Sequence, residues 1–163
     1  MFTVRRATPD DAAIVATLNM PVQQLHADAR PDTFKPASNS AEMVQYCQAL
    51  LEMPDSHIFI GEEDGQPVGY AFVRVYRRPG HPLAYGGDSV YIDQMSVNPG
   101  RQGRGYGRQL AQAVLDLARA ENITRVTLSV WEFNVNAREF YAHLGFVPVI
   151  QTMELALDSP PEK

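Results

Sequence analysis

The alternation of apolar and polar positions divides the 163-residue chain into a series of short elements. Phe2-Thr3-Val4-Arg5 has the period of two expected of a strand. Thr8-Pro9-Asp10-Asp11 reads as a helix start, with Thr8 as N-cap, Pro9 at the first helical position and Asp11 closing a capping box. Ile14, Val15 and Leu18 give that helix one apolar face. Pro21, Pro31 and Pro36 interrupt the pattern, so residues 22–35 are expected to form a broken helix or a loop. Asn39, with Glu42 three residues on, predicts the cap of a second helix lined by Met43, Val44, Cys47, Leu50 and Leu51.

Residues 57–62 and 68–76 read as strands flanking the hairpin signal Asp64-Gly65. Residues 77–88, rich in Gly and Pro, read as a long loop. A strand over 89–97 is stopped by Asn98-Pro99-Gly100. A helix over 105–120 follows, with Leu110, Val114, Leu117 and Ala118 inward. Val126, Leu128 and Val130 share one face of a strand over 124–131. Asn134 caps a last helix carrying Ala137, Phe140, Tyr141 and Leu144, which Gly145 stops. A final strand is expected over about 146–157. The order βααβββαβαβ predicts a mixed α/β domain around one sheet, spanning residues 1–157, with 158–163 as a frayed tail.

Composition narrows the function classes. A net charge of −5 disfavours nucleic acid and anionic membrane as partners. The single Cys47 excludes an intramolecular disulfide and a multi-thiolate zinc site. His26, His57, His81 and His143 lack metal-ligand spacing, so no metal is expected. No apolar run approaches a membrane span and no signal peptide opens the chain, which points to a cytoplasmic protein.

The chemistry-bearing stretch is Arg101-Gln102-Gly103-Arg104-Gly105-Tyr106-Gly107-Arg108, between a strand and a helix. Three glycines allow a tight turn and close approach of backbone N–H groups, and the helix N-terminus adds partial positive charge. Three arginines in eight residues, with no acid among them, suit a pyrophosphate. The segment lacks the Gly-Lys-Ser/Thr of a Walker loop, and its Gly-x-Gly-x-Gly spacing is not the dinucleotide Gly-x-Gly-x-x-Gly.

Gln102-x-x-Gly105-x-Gly107, preceded by Tyr91-Ile92-Asp93-Gln94-Met95-Ser96-Val97, resembles the acyl-CoA motif of the GCN5-related N-acetyltransferases, the GNAT family. Residues 134–146 resemble that family's second signature, Asn-x-x-Ala-x-x-Phe/Leu-Tyr followed by Gly-Phe, through Asn134, Ala137, Phe140, Tyr141, Gly145 and Phe146. The resemblance covers about residues 2–157. It implies an α+β acyltransferase fold, with a single mixed, mostly antiparallel central sheet and helices on both faces.

The same resemblance implies acetyl-CoA as co-substrate, without metal, and acetyl transfer to the primary amine of a small molecule or peptide in a ternary complex. A non-catalytic acyl-CoA-binding or sensing module is the alternative. Met95, Ser96 and Val97 match the strand that pairs with pantetheine. Gln102, Gly103, Arg104, Gly105, Tyr106, Gly107 and Arg108 match the pyrophosphate cradle, and Asn134 and Ala137 match cofactor positions. Tyr141 matches the general acid. Asp93 stands near where many members carry a glutamate base, as base or as a substrate-orienting acid; period two would set it with Met95 and Val97, opposite Gln94 and Ser96. His26 and Phe34 lie in a segment similar to a His…Pro-x-x-Phe pattern of some small members. With Tyr85 and Trp131 they are expected to wall the acceptor. Dimers are common in the family, which leaves a homodimer open.

Overall fold

Alternating apolar residues build the sheet from the first strand onward. The computed structural model describes residues 1–157, so the expected frayed tail over 158–163 lies outside the described residues. Among these, the elements are β1 (Phe2–Arg6), α1 (Ala12–Ala29), α2 (Ala41–Glu52), β2 (Ser56–Glu63), β3 (Gln66–Arg78), β4 (Gly87–Val97), α3 (Tyr106–Ala120), β5 (Val126–Leu128) and α4 (Val135–His143). They fall into two compact units, one spanning Met1–Ser129 and one beginning at Val130.

The first unit holds one mixed five-stranded sheet in the order β1-β2-β3-β4-β5. All neighbours are antiparallel except β4 and β5, which α3 joins as a parallel pair. One face carries Ile58, Ile60, Tyr70 and Phe72, packed with Ala12, Val15, Ala16 and Leu18 of α1 and Cys47 of α2. The other face meets α3, whose Leu110, Ala111, Val114 and Ala118 are buried. The second unit contains α4, capped by Asn134, whose Oδ1 accepts from the Ala137 N–H at 3.2 Å.

Three expectations need correction. The helix does not break at Pro21: α1 runs through it to Ala29, and Val15, Leu18 and Ala27 are buried on both sides of the proline. A proline removes one intrahelical bond, and burial on both flanks outweighs that loss. The second helix is capped by Ser40 rather than Asn39; the helix starts at Ala41, so Ser40 is the residue whose Oγ can accept from the Met43 N–H, at 3.4 Å. The final strand over 146–157 does not form among the described residues, and the order ends at α4. Its alternating Val147, Val149, Met153, Leu155 and Leu157 are largely exposed. Alternation marks the faces of a strand, but pairing makes one.

Arg5 ties β1 to the start of α1. Its guanidinium donates to both oxygens of Asp11 at 2.8 Å, and its Nε donates to Glu62 at 2.8 Å. Asp11 also accepts from the Thr8 N–H at 2.8 Å. The Arg5 guanidinium, with lesser help from Thr8, holds the Asp11 carboxyl at about 2. A depressed carboxyl stabilises the fold above its ordinary pKa, and that contribution is lost as pH falls through the folded value. Asp11→Asn is therefore expected to cost about 1 kcal/mol at neutral pH, because Arg5 is partly exposed and screened. Thermal melts should show this difference from wild type shrinking as pH falls from about 4 to about 2.

Candidate active site

The site in the first unit begins where β4 loses its neighbour. Parallel pairing with β5 covers only Val90↔Val126, Tyr91↔Thr127 and Ile92↔Leu128, whereas β4 continues to Val97. From Asp93 onward the β5 side of β4 has no strand partner in the unit. Its backbone is an open edge of the kind an extended ligand can join.

At the same point β4 carries a bulge. Phe72 pairs with Gln94 and Val73 with Ile92, so Asp93 is the extra residue. A bulge re-aims side chains and increases local twist. The simple alternation therefore fails at Asp93. Its two oxygens accept from Arg74 of β3, from Nε at 2.7 Å and from Nη2. Arg74 shares its face with Phe72 and Tyr76, its guanidinium lying 5.8 and 5.3 Å from their ring centroids. Asp93 thus stands on the face of Gln94 and Ser96, away from Met95 and Val97. Asp93, expected as base or as substrate-orienting acid, is engaged in a two-point ion pair, with 14% of its side chain exposed.

The glycine turn has the expected backbone. Gly103 and Gly105 adopt left-handed φ values of +77° and +82°, and a Cβ on either would meet nothing within 4 Å. Gly105 is the N-cap of α3, so the N–H groups of Tyr106, Gly107 and Arg108 fall in the first turn, where a helix offers them no carbonyl. Gln102 donates from Nε2 to the Val97 carbonyl at 3.0 Å, fastening the turn to the end of β4.

The arginines do not stand in a purely basic setting. Glu63, at the end of β2, accepts from Arg104 at 3.0 Å, pairs with Arg101 at 2.6 Å and accepts from the Tyr106 hydroxyl. Tyr106 stacks on Phe2 with ring centroids 4.0 Å apart. The Tyr106 hydroxyl and the two arginines hold the Glu63 carboxyl below its ordinary range. Glu63 is forty-one residues from Arg104, and no local motif joins them.

On the α1/α2 face lies a cavity of about 490 Å³, reached by Gln94, Tyr70, Asn19, Cys47 and Tyr46. Asn19 Nδ2 donates to the Tyr70 hydroxyl at 2.9 Å and to Gln94 Oε1 at 2.8 Å, and Tyr70 donates to the same Oε1 at 2.7 Å. Burial pushes the Tyr70 phenol well above its ordinary value. It also raises the Cys47 thiol, which is 1% exposed. His26 and Phe34 pack on each other, with centroids 5.0 Å apart, but neither lines the cavity. Tyr85 is 95% exposed on the loop before β4 and is not among the lining residues either.

In the second unit, Asn134, Ala137 and Tyr141 lie on α4 and its cap. The Tyr141 ring contacts Phe140 and Phe146 edge-on, at 5.2 and 5.5 Å between centroids. Burial pushes its phenol up to about 12. Trp131 stacks with Phe133 outside β5, which ends at Leu128 rather than 131. Among the described residues there is no cluster of three or more His, Cys, Asp or Glu able to hold a metal, and no helix is long and apolar enough to cross a membrane.

A mixed sheet whose parallel pair parts above a bulge, followed by a glycine turn and helix, defines an acyltransferase-type scaffold. The model of the acetyltransferase (GNAT) family matches residues 21–146, and the chain belongs to that family. A mycothiol acetyltransferase from Beutenbergia cavernae is 49% identical over 60 residues, covering 37% of this chain and 20% of its own length. An L-2,4-diaminobutyric acid acetyltransferase from Nocardia farcinica is 35% identical over 71 residues, covering 44% of this chain and 33% of its own. This chain spans between 20% and 31% of the length of the mycothiol acetyltransferases it matches. Among solved structures, a tetramutant of the BH1408 protein from Bacillus halodurans superposes with a TM-score of 0.88 and 29% identity, over 95% of this chain and 99% of that one. An aminoglycoside acetyltransferase from a soil metagenomic sample has a TM-score of 0.69 and 16% identity, over 98% and 97%, and shares the fold.

Proposed function

We propose that this protein is an acetyl-CoA-dependent N-acetyltransferase acting on the primary amine of a small molecule by direct attack in a ternary complex. The observation that carries the proposal is the unpaired β5 side of Asp93–Val97, running into a turn whose left-handed glycines leave open space at the N-terminus of α3. That arrangement fits an extended pantetheine arm ending in a pyrophosphate. The names of the matched relatives, mycothiol and diaminobutyric acid acetyltransferases, support small amines as acceptors.

Acetyl-CoA would supply the activated thioester; the rest falls to this chain. The strand edge over Met95, Ser96 and Val97 holds the arm by main-chain bonds. Gln102 fixes the turn, while the N–H groups of residues 103–108 receive the pyrophosphate. A strand N–H near Met95 faces the developing oxyanion. Asn134 and Ala137 serve the cofactor on the second unit, and Tyr141 is the proton donor to the departing thiolate. With Arg74 holding both oxygens of Asp93, deprotonation of the incoming ammonium through Asp93 would run over a water relay. The expected result is thiol release from acetyl-CoA that depends on added amine, in a panel of amino alcohols, amino acids and alkylamines. CoA binding by calorimetry without turnover on any amine would leave an acyl-CoA-binding module instead.

A further inference from the structure

The hydrogen-bond inventory of Asn19, Tyr70 and Gln94 fixes what the cavity presents to an occupant. Gln94 Oε1 accepts twice, from Asn19 and from Tyr70. Turning the Gln94 amide alone would put Nε2 against the Asn19 amide nitrogen, donor against donor. Turning both amides together keeps all three bonds and exchanges the two groups left over, so one acceptor and one donor remain in either arrangement. Both Nδ2 hydrogens of Asn19 are used, on Tyr70 and Gln94. The capacity the triad leaves over is one acceptor, Asn19 Oδ1, and one donor group, Gln94 Nε2. Asn19 is 4% exposed and Tyr70 1%.

All three groups are uncharged. The charged residues that line the cavity, Lys35 and Glu42, are exposed ones. Three kinds of occupant can be separated on that basis. An alkyl group would leave both the acceptor and the donor unpaired away from water. A carboxylate would accept from Gln94 but set its charge against the lone pairs of Asn19, with no cation in the triad. A hydroxyl, donor and acceptor in one group, matches a site that offers one of each and brings no charge with it. Gln94 immediately precedes Met95, the strand position assigned above to the oxyanion, so the cavity opens beside the place of acetyl transfer.

We propose that the acceptor is a hydroxylated amine, an amino alcohol or amino sugar, whose hydroxyl is read by Asn19 and Gln94. This rests on the acetyltransferase reading, with Asn19 and Gln94 as specificity-determining residues. The test measures kcat/KM for 2-aminoethanol, propylamine and glycine with the full chain and acetyl-CoA. Sites that hydrogen-bond a substrate hydroxyl reject analogues lacking it, so 2-aminoethanol is expected to exceed both others by about tenfold or more. Gln94→Glu keeps the oxygen that accepts from Tyr70 and Asn19 while removing the Nε2 donor. It is expected to bring the ratio of 2-aminoethanol to propylamine towards one. Equal wild-type rates or a preference for glycine would overturn the assignment, although acetylation itself had been seen, and a ratio unmoved by Gln94→Glu would overturn Gln94 as the donor to the hydroxyl. The wild-type comparison does not depend on how the variant folds. Absence of acetylation with every amine would instead overturn the underlying reading.

Discussion

Replacing Tyr141 with phenylalanine is expected to lower kcat by about a hundredfold, at the lower end of what general acids contribute, with CoA affinity nearly unchanged. The reason for the lower end is the phenol's environment. An ordinary tyrosine, near 10, is within reach of a thiolate's basicity. Burial among Phe140, Phe146 and their surroundings pushes Tyr141 up to about 12, which widens the gap to a thiol near ~8.5. Full proton transfer becomes harder, while the hydroxyl stays protonated and donates a hydrogen bond to the leaving sulfur. A second consequence follows for the pH profile. The acid form persists until pH approaches 12, so any alkaline fall in kcat below about pH 10 should be the same in wild type and Tyr141→Phe. Full turnover in the phenylalanine variant, where chemistry limits the rate, would remove Tyr141 from the reaction.

Gly105→Asp should weaken CoA binding by about a hundredfold or more. Two effects need separating. At φ +82° any side chain costs about 1–2 kcal/mol of backbone strain. The added carboxylate also stands at the mouth of the turn. Against one phosphate charge about 5 Å away it contributes roughly 3 kcal/mol of repulsion at an effective dielectric near 20. Gly105→Ala carries the strain alone, since a Cβ there meets nothing within 4 Å. A side-chain cap needs an extended N-cap backbone, which the left-handed Gly105 does not provide, so Asp gains no cap over Ala here. Thermal stability should therefore be similar in the two variants while CoA affinity, by calorimetry, drops far more in Gly105→Asp. Equal affinities would show that pyrophosphate does not sit at this turn.

What could be seen in the sequence was local. The turn over 101–108 was legible because glycine conformations and a helix start are written within a few residues. Asn134 was legible as a cap for the same reason. The site's ion pairs were not. Asp93 meets Arg74 nineteen residues away, across a register that shifts at the bulge. Alternation carries no sign of an inserted residue, so it assigned Asp93 to the wrong face. Glu63 is joined to Arg101, Arg104 and Tyr106 only once the end of β2 meets the turn. The one available hint was Arg74 itself, a cation inside the apolar run Ala71-Phe72-Val73-Arg74-Val75, which asks for an acid on the same face. The expected strand over 146–157 failed for the opposite reason. Its local pattern was clear, but a strand needs a second backbone, which the pattern does not specify.

The brief seam between β4 and β5 has a consequence for handling the protein. Three paired residues join the parallel strands, and beyond them β4 has no strand partner on that side within the first unit. Such an edge does not discriminate between a thin extended ligand and the backbone of another polypeptide. Colloidal behaviour and ligand occupancy are thereby coupled through the same atoms. Preparations saturated with CoA should stay monodisperse at concentrations where ligand-free protein begins to associate.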